Sequence, residues 1–298
     1  PSSRDRIERS SVDAEFGGRP SSLPVMLAPA VSAAGVERAR RPVPLARFLP
    51  FPPARKRDGF FRILTCIEND RLRMPGAPAA QRRTIMTDFA EKAAEARGFS
   101  VVFDACAEAF LDEPDEAIID DVRKVAAALG QDGFDFVADD DLKQRYYDRL
   151  FVTSTPYYVP LIESSIARGG EDEDGVMRYA SIQSDLTDHV LRCYHTVEFD
   201  FQALSGYDLA VKSLHPDSLA SELAFLAFCK KREAECWESS DEAQAEHWAQ
   251  LAAQFSKQHA SRWVGKAADC LARTDEDFYA HACALAAAAA EALLEEAE

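Results

Sequence analysis

Residues 86–111 read MTDFAEKAAEARGFSVVFDACAEAFL. Within them Phe89, Ala93, Ala96 and Val101 lead into Phe103, Cys106, Ala107 and Phe110, mostly at three- and four-residue steps. They are read as one apolar stripe of a helix. Pro114, after Glu113, closes this helix and opens the next as a first-turn proline.

The same period runs outward to the C-terminus. Ile118, Ile119, Val122, Val125 and Leu129 form the apolar face of a second helix, and Gly130 stops it. Asp139-Asp140-Asp141 places carboxylates where a helix dipole favours them, ahead of Leu142, Tyr146, Leu150 and Phe151. A helix is expected from Pro156 to Ala167, ending at Gly169-Gly170. The acidic run 171–174 is expected to cap a long helix through Tyr179, Ile182, Leu186, Val190, Cys193 and Tyr194. Another follows Pro216 with Leu219, Leu223, Leu226 and Cys229. Asp241 starts a helix, Thr274-Asp275 is read as a further N-cap, and the last helix runs from Phe278 to about Glu296. No convincing strand alternation follows residue 86. The expected fold is all-α, a bundle of about eight to ten helices.

Composition divides the chain. Residues 1–85 hold 16 Lys+Arg, 15 of them Arg, against 8 Asp+Glu, and 11 of the 15 prolines. Residues 86–298 hold 18 Lys+Arg against 43 Asp+Glu, a balance of −25. The first part is expected to be a largely irregular basic segment, either a tail or an over-extended start ahead of Met86. Its apolar patch, residues 59–67, is expected to form a strand or a docking segment. The second part is expected to be one helical domain. Its negative charge repels phosphate backbones and argues against nucleic acid as a partner. It attracts cationic partners instead. No apolar run reaches the roughly 18 residues of a membrane span. Arg40-Arg41 has no long apolar stretch after it and is not read as an export signal.

The seven cysteines form no C-x-x-C pair, so neither a disulfide framework nor a zinc site is indicated. They are expected to be buried thiols on helices in a reducing compartment. His189 and His195 lie six apart, on different helix faces, while Asp185 and His189 supply too few ligands for a closed metal site. No G-x-S-x-G elbow and no glycine-rich phosphate loop occurs. Neither a cofactor nor a metal is expected. His259 and Trp263 are expected to pack together.

Two segments remain. One holds Tyr147, Leu150 and Phe151, followed by Pro160, Leu161 and Glu163; the other holds Pro216, Asp217, Ser218 and Glu222. Together they suggest an apolar groove edged by Glu163, Asp217 and Glu222, fit for a peptide with arginines beside an apolar stretch. The blander reading makes Asp217 a helix N-cap and the aromatics core residues. Two other classes stay open: a helical adaptor, and a small-molecule enzyme using Asp217, His215 and Glu222.

At these residues the chain resembles the TorD/DmsD/NarJ family of cytoplasmic chaperones for molybdoenzymes. Tyr147-Asp148-Arg149-Leu150-Phe151 is similar to the family's aromatic-x-x-Leu-Phe. Val159-Pro160-Leu161-Ile162-Glu163-Ser164 is similar to its proline-then-Glu-Ser segment. Leu214-His215-Pro216-Asp217-Ser218-Leu219 running into Glu222-Leu223-Ala224-Phe225-Leu226 resembles its Pro-Asp-His-Leu and Glu-Leu-x-Phe motifs. Ser218 stands where that motif carries histidine, and His215 where Glu or Pro is usual; Asp217 is retained. The resemblance implies a cytoplasmic, non-enzymatic chaperone. It would bind the twin-arginine signal peptide and the apo catalytic subunit of a molybdopterin oxidoreductase until cofactor insertion and export. The oligomeric state stays open.

Overall fold

In the computed structural model, the backbone is described for residues 79–131 and 134–296, and side chains for 87–131 and 134–295. The basic N-terminal segment, its patch at residues 59–67 and Cys66 lie outside the described residues.

Among the described residues there are ten α-helices and one minimal hairpin. Helix α1 (Ala79–Leu111) and α2 (Glu116–Ala128) come first, then α3 (Asp140–Leu150) and the single turn α4 (Glu163–Ala167). Strands β1 (Gly170–Glu171) and β2 (Met177–Arg178) pair antiparallel. Helices α5 (Asp185–Thr196), α6 (Asp208–Lys212), α7 (Leu219–Glu238), α8 (Glu242–Gln258), α9 (Ala260–Ala272) and α10 (Phe278–Glu296) complete the chain. The all-α expectation therefore holds. Helix α1 begins before Met86, so the compositional break at residue 85 falls inside it.

Helix α7 is the central element. Every residue from Leu219 to Ala227 is buried, so this stretch is surrounded on all faces. It packs along α1 on one side and α8 on another, while α9 pairs with α10 and α10 returns to α1. Tyr194, Phe225 and Phe255 meet at the centre, with ring centroids 4.6–6.2 Å apart. Cys106, Cys229, Cys270 and Cys283 are buried free thiols, whereas Cys193 and Cys236 are half-buried.

Capping follows the sequence logic where short polar side chains precede an apolar stripe. Asp115 accepts from Ile118 N–H, Asp139 from Leu142 N–H and Ser184 from Leu186 N–H. Helix α2 therefore starts at Glu116, two residues beyond Pro114, with Asp115 as its cap and the proline outside the helix rather than in its first turn. Helix α10 is capped by Asp277, which accepts from both Tyr279 and Ala280 N–H at 3.1 Å. Thr274-Asp275 is not its cap.

Two helix expectations shorten. Of residues 156–167 only Glu163–Ala167 is helical. Pro160 offers no N–H and drives Val159 toward extended backbone. Ahead of α5, Tyr179 and Ile182 are exposed and lie outside the helix, which begins at Asp185. Asp172 accepts from Asp174 and Val176 N–H, and Gly175 takes φ 73°, so this stretch turns as a hairpin instead.

Gly206 positions the next element. Its φ is 156°, and a Cβ there would meet the Leu111 carbonyl at 2.5 Å. The adjoining Tyr207 N–H donates to that carbonyl at 2.9 Å, which ties the start of α6 to the end of α1.

Candidate functional site: an apolar cleft backed by a buried polar cluster

The two segments singled out by the sequence are stitched together by backbone. Ile162 and Ser218 form an isolated antiparallel bridge. Glu163 N–H donates to the Asp217 carbonyl at 2.8 Å, and Leu219 N–H to the Leu161 carbonyl at 2.9 Å. The bridge brings the N-termini of α4 and α7 side by side. Arg149 holds the intervening loop from below. Its fully buried guanidinium donates to Asp277 at 2.8 Å, to the Asp275 carbonyl at 2.8 Å and to the Tyr157 carbonyl at 3.2 Å.

Above the bridge lies a cleft of about 310 Å³. Leu150, Phe151, Tyr158, Val159, Pro160, Leu161 and Ile162 form one wall; Ala210, Leu214, His215, Ser218, Leu219 and Ala220 form the other, with Phe110 of α1 also lining it. Leu150, Phe151, Pro160, Leu161 and Ser218, all expected at a groove, line this cleft. Tyr158 and Leu214, which fall within or beside the two segments but were not expected at the groove, line it too, as does Ala210, which nothing in the spacing marks.

The other expected residues do not line the cleft. Tyr147 donates its hydroxyl to Glu113, and its ring lies 6.0 Å from Tyr207. The Pro216 carbonyl accepts from the Tyr194 hydroxyl at 2.9 Å. Glu163, Asp217 and Glu222 are buried at 1%, 0% and 0% exposure. The rim of carboxylates drawn from the sequence is thus not where the structure puts these groups. A bare carboxylate costs too much to bury, so each has internal partners.

Asp217 serves the neighbouring segment. Its Oδ2 accepts from Ser164 N–H at 3.0 Å, from the Ser164 hydroxyl, and from Thr187 at 3.2 Å; His215 bonds its Oδ1. Asp217 therefore caps α4, whereas α7 is capped by Ser218. Burial works to raise the Asp217 carboxyl, but the His215 and Ser164 bonds outweigh it and hold it below its ordinary value. His215 connects the two layers: it lines the cleft and bonds Asp217.

Deeper in, His259 Nδ1 donates to Glu163 Oε2 at 2.8 Å, and Trp263 Nε1 donates to Glu222 Oε2 at 2.9 Å. Each member of the expected His259–Trp263 pair thus serves a buried carboxylate. Glu222 is pushed well above its ordinary range, first by burial and then by the nearby Glu163 charge. A hydrogen bond between the Glu222 and Glu163 carboxyls raises it further. His259 also faces α5, where His189 Nδ1 lies 2.7 Å from its ring nitrogen and Cys193 Sγ lies 4.0 Å from His189 Nδ1. Burial lowers the His189 pKa, and His259 lowers it further. The sequence carried one signal for this contact, the four-residue step from His189 to Cys193.

Residues 115–269, just over half of the chain, match the family described as nitrate reductase delta subunit. The chain belongs to this family. The nitrate reductase delta family is a family of molybdoenzyme maturation chaperones. The matched stretch runs from the cap of α2 into α9, so it contains both walls of the cleft and the polar cluster. No curated protein and no solved structure matches the chain. No helix among the described residues is long and apolar enough to cross a membrane.

Proposed function

We propose that this member of the nitrate reductase delta family acts in the cytoplasm on an exported molybdopterin oxidoreductase. It holds the twin-arginine signal peptide and apo catalytic subunit of that enzyme until the cofactor is inserted. The observation that carries this reading is the apolar cleft of about 310 Å³ between the two segments. Its walls suit a few apolar side chains of a signal peptide, which would leave water on entering.

The basic end of such a peptide is drawn by the overall charge of residues 86–298, a balance of −25, and not by the three buried carboxylates. An adaptor role would fit a filled contact between the segments; the open cleft favours a bound guest. Glu222 is the strongly perturbed carboxylate that an enzyme reading would need, but it does not line the cleft. That supports binding over chemistry.

The test is a titration of the full chain with a labelled twin-arginine signal peptide at two salt concentrations, with a Lys-Lys peptide and one lacking the apolar stretch alongside. Binding that survives moderate salt and needs the apolar stretch supports the proposal. Binding abolished by salt, with no preference for Arg over Lys, would reduce it to attraction by an acidic surface.

A further inference from the structure

We propose that His189, Cys193 and His259 form a binding site for one divalent transition-metal ion of the zinc class. His189 and Cys193 are four residues apart on α5, so both face the same side of that helix. His259 approaches from the α8–α9 junction. The ligand atoms of the three residues lie within 4.8 Å of one another.

The arrangement around His259 is the strongest argument. A carboxylate oxygen only accepts, so the Glu163 contact places the His259 proton on Nδ1. Nε2 then presents its lone pair toward His189, 2.7 Å away. A carboxylate behind a ligating imidazole is the usual outer partner at zinc, where it fixes the tautomer and raises the basicity of the ligand.

Small movements suffice. Zinc–nitrogen bonds of about 2.0 Å and zinc–sulfur bonds of about 2.3 Å set nitrogen–nitrogen and nitrogen–sulfur separations of roughly 3.3 and 3.6 Å at a tetrahedral ion. The present separations are 2.7 Å for His189–His259, 4.0 Å for His189–Cys193 and no more than 4.8 Å for His259–Cys193. His189 and Cys193 are only half-buried, which leaves a fourth position for water. Two imidazoles and one thiol match a borderline-soft ion better than calcium or magnesium. On binding, the His189 proton moves from Nδ1 to its outer Nε2 and the Cys193 thiol proton goes to solvent. The balance is one proton released per ion.

The experiment uses the full chain, reduced and metal-free, titrated with cobalt(II) and then with zinc. One equivalent of cobalt(II) is expected to give thiolate-to-metal absorption and the visible bands of a four-coordinate ion, both bleached by zinc. Cys193→Ser is expected to abolish the thiolate band. His189→Gln is expected to weaken binding by more than the roughly 10–100-fold that loss of an outer partner costs. Cys66→Ser, Cys236→Ser and His247→Gln are expected to leave the spectrum unchanged, and circular dichroism establishes that each variant is folded. No thiolate band in the wild type, a band that survives Cys193→Ser in a folded protein, or a band removed by Cys66→Ser or Cys236→Ser would overturn the site.

Discussion

The Asp217 carboxylate accepts from the Ser164 backbone N–H at 3.0 Å, across 53 residues of sequence. One side chain thus caps the helix of the other segment, while its own backbone carbonyl accepts from Glu163 N–H. The floor of the cleft depends on this contact. Asp217→Ala is expected to lower unfolding stability by about 1–3 kcal/mol, because it leaves the buried Ser164 and Thr187 donors without their acceptor. Urea unfolding measures the loss, and a change under about 0.5 kcal/mol, the usual range of surface substitutions, would remove Asp217 from that role.

The same residue sets a pH dependence. Its carboxyl is held below the ordinary value of 3.8, so its stabilisation is present above that value and fades as pH falls through the lower folded one. Thermal melts of the wild type from pH 6 downward should show this acid loss, and Asp217→Asn should show less of it. Parallel melting curves would contradict the assignment.

How much of this was legible beforehand divides along physical lines. Helical periodicity from Phe89 onward is a local property, and it foretold an all-helical bundle. The two cleft-forming segments were legible as proline-interrupted aromatic stretches. The direction of Asp217 was not, since its partner lies 53 residues away and capping is usually argued within a helix. Burial of Glu163 and Glu222 was hidden for the same reason: His259 and Trp263, which satisfy them, come from the α8–α9 junction and α9. Residues 156–162 failed as a helix because Pro160 outweighed the apolar spacing.

Arg149 is the anchor of the loop that forms one wall. Its fork reaches Asp277, the Asp275 carbonyl and the Tyr157 carbonyl, and a lysine ammonium cannot reproduce that geometry. Arg149→Lys is expected to cost about 2 kcal/mol in urea unfolding and to weaken peptide binding. Unchanged stability would show that the loop is held by other contacts.

Leu214 lines the opposite wall and is half-buried. Leu214→Gln is expected to weaken signal-peptide binding at least about tenfold, equivalent to 1.4 kcal/mol, with little change in melting temperature. Fluorescence anisotropy on the full chain reads the affinity. An unchanged affinity would move the guest off this wall.

The most direct measurement is photo-crosslinking of the full chain to a twin-arginine signal peptide carrying a photoreactive residue in its apolar stretch, with the sites mapped by mass spectrometry. Crosslinks confined to residues 150–162 and 210–220 are the predicted result. Crosslinks concentrated elsewhere, such as on the exposed face of α8, would contradict the cleft as the place where the peptide is held.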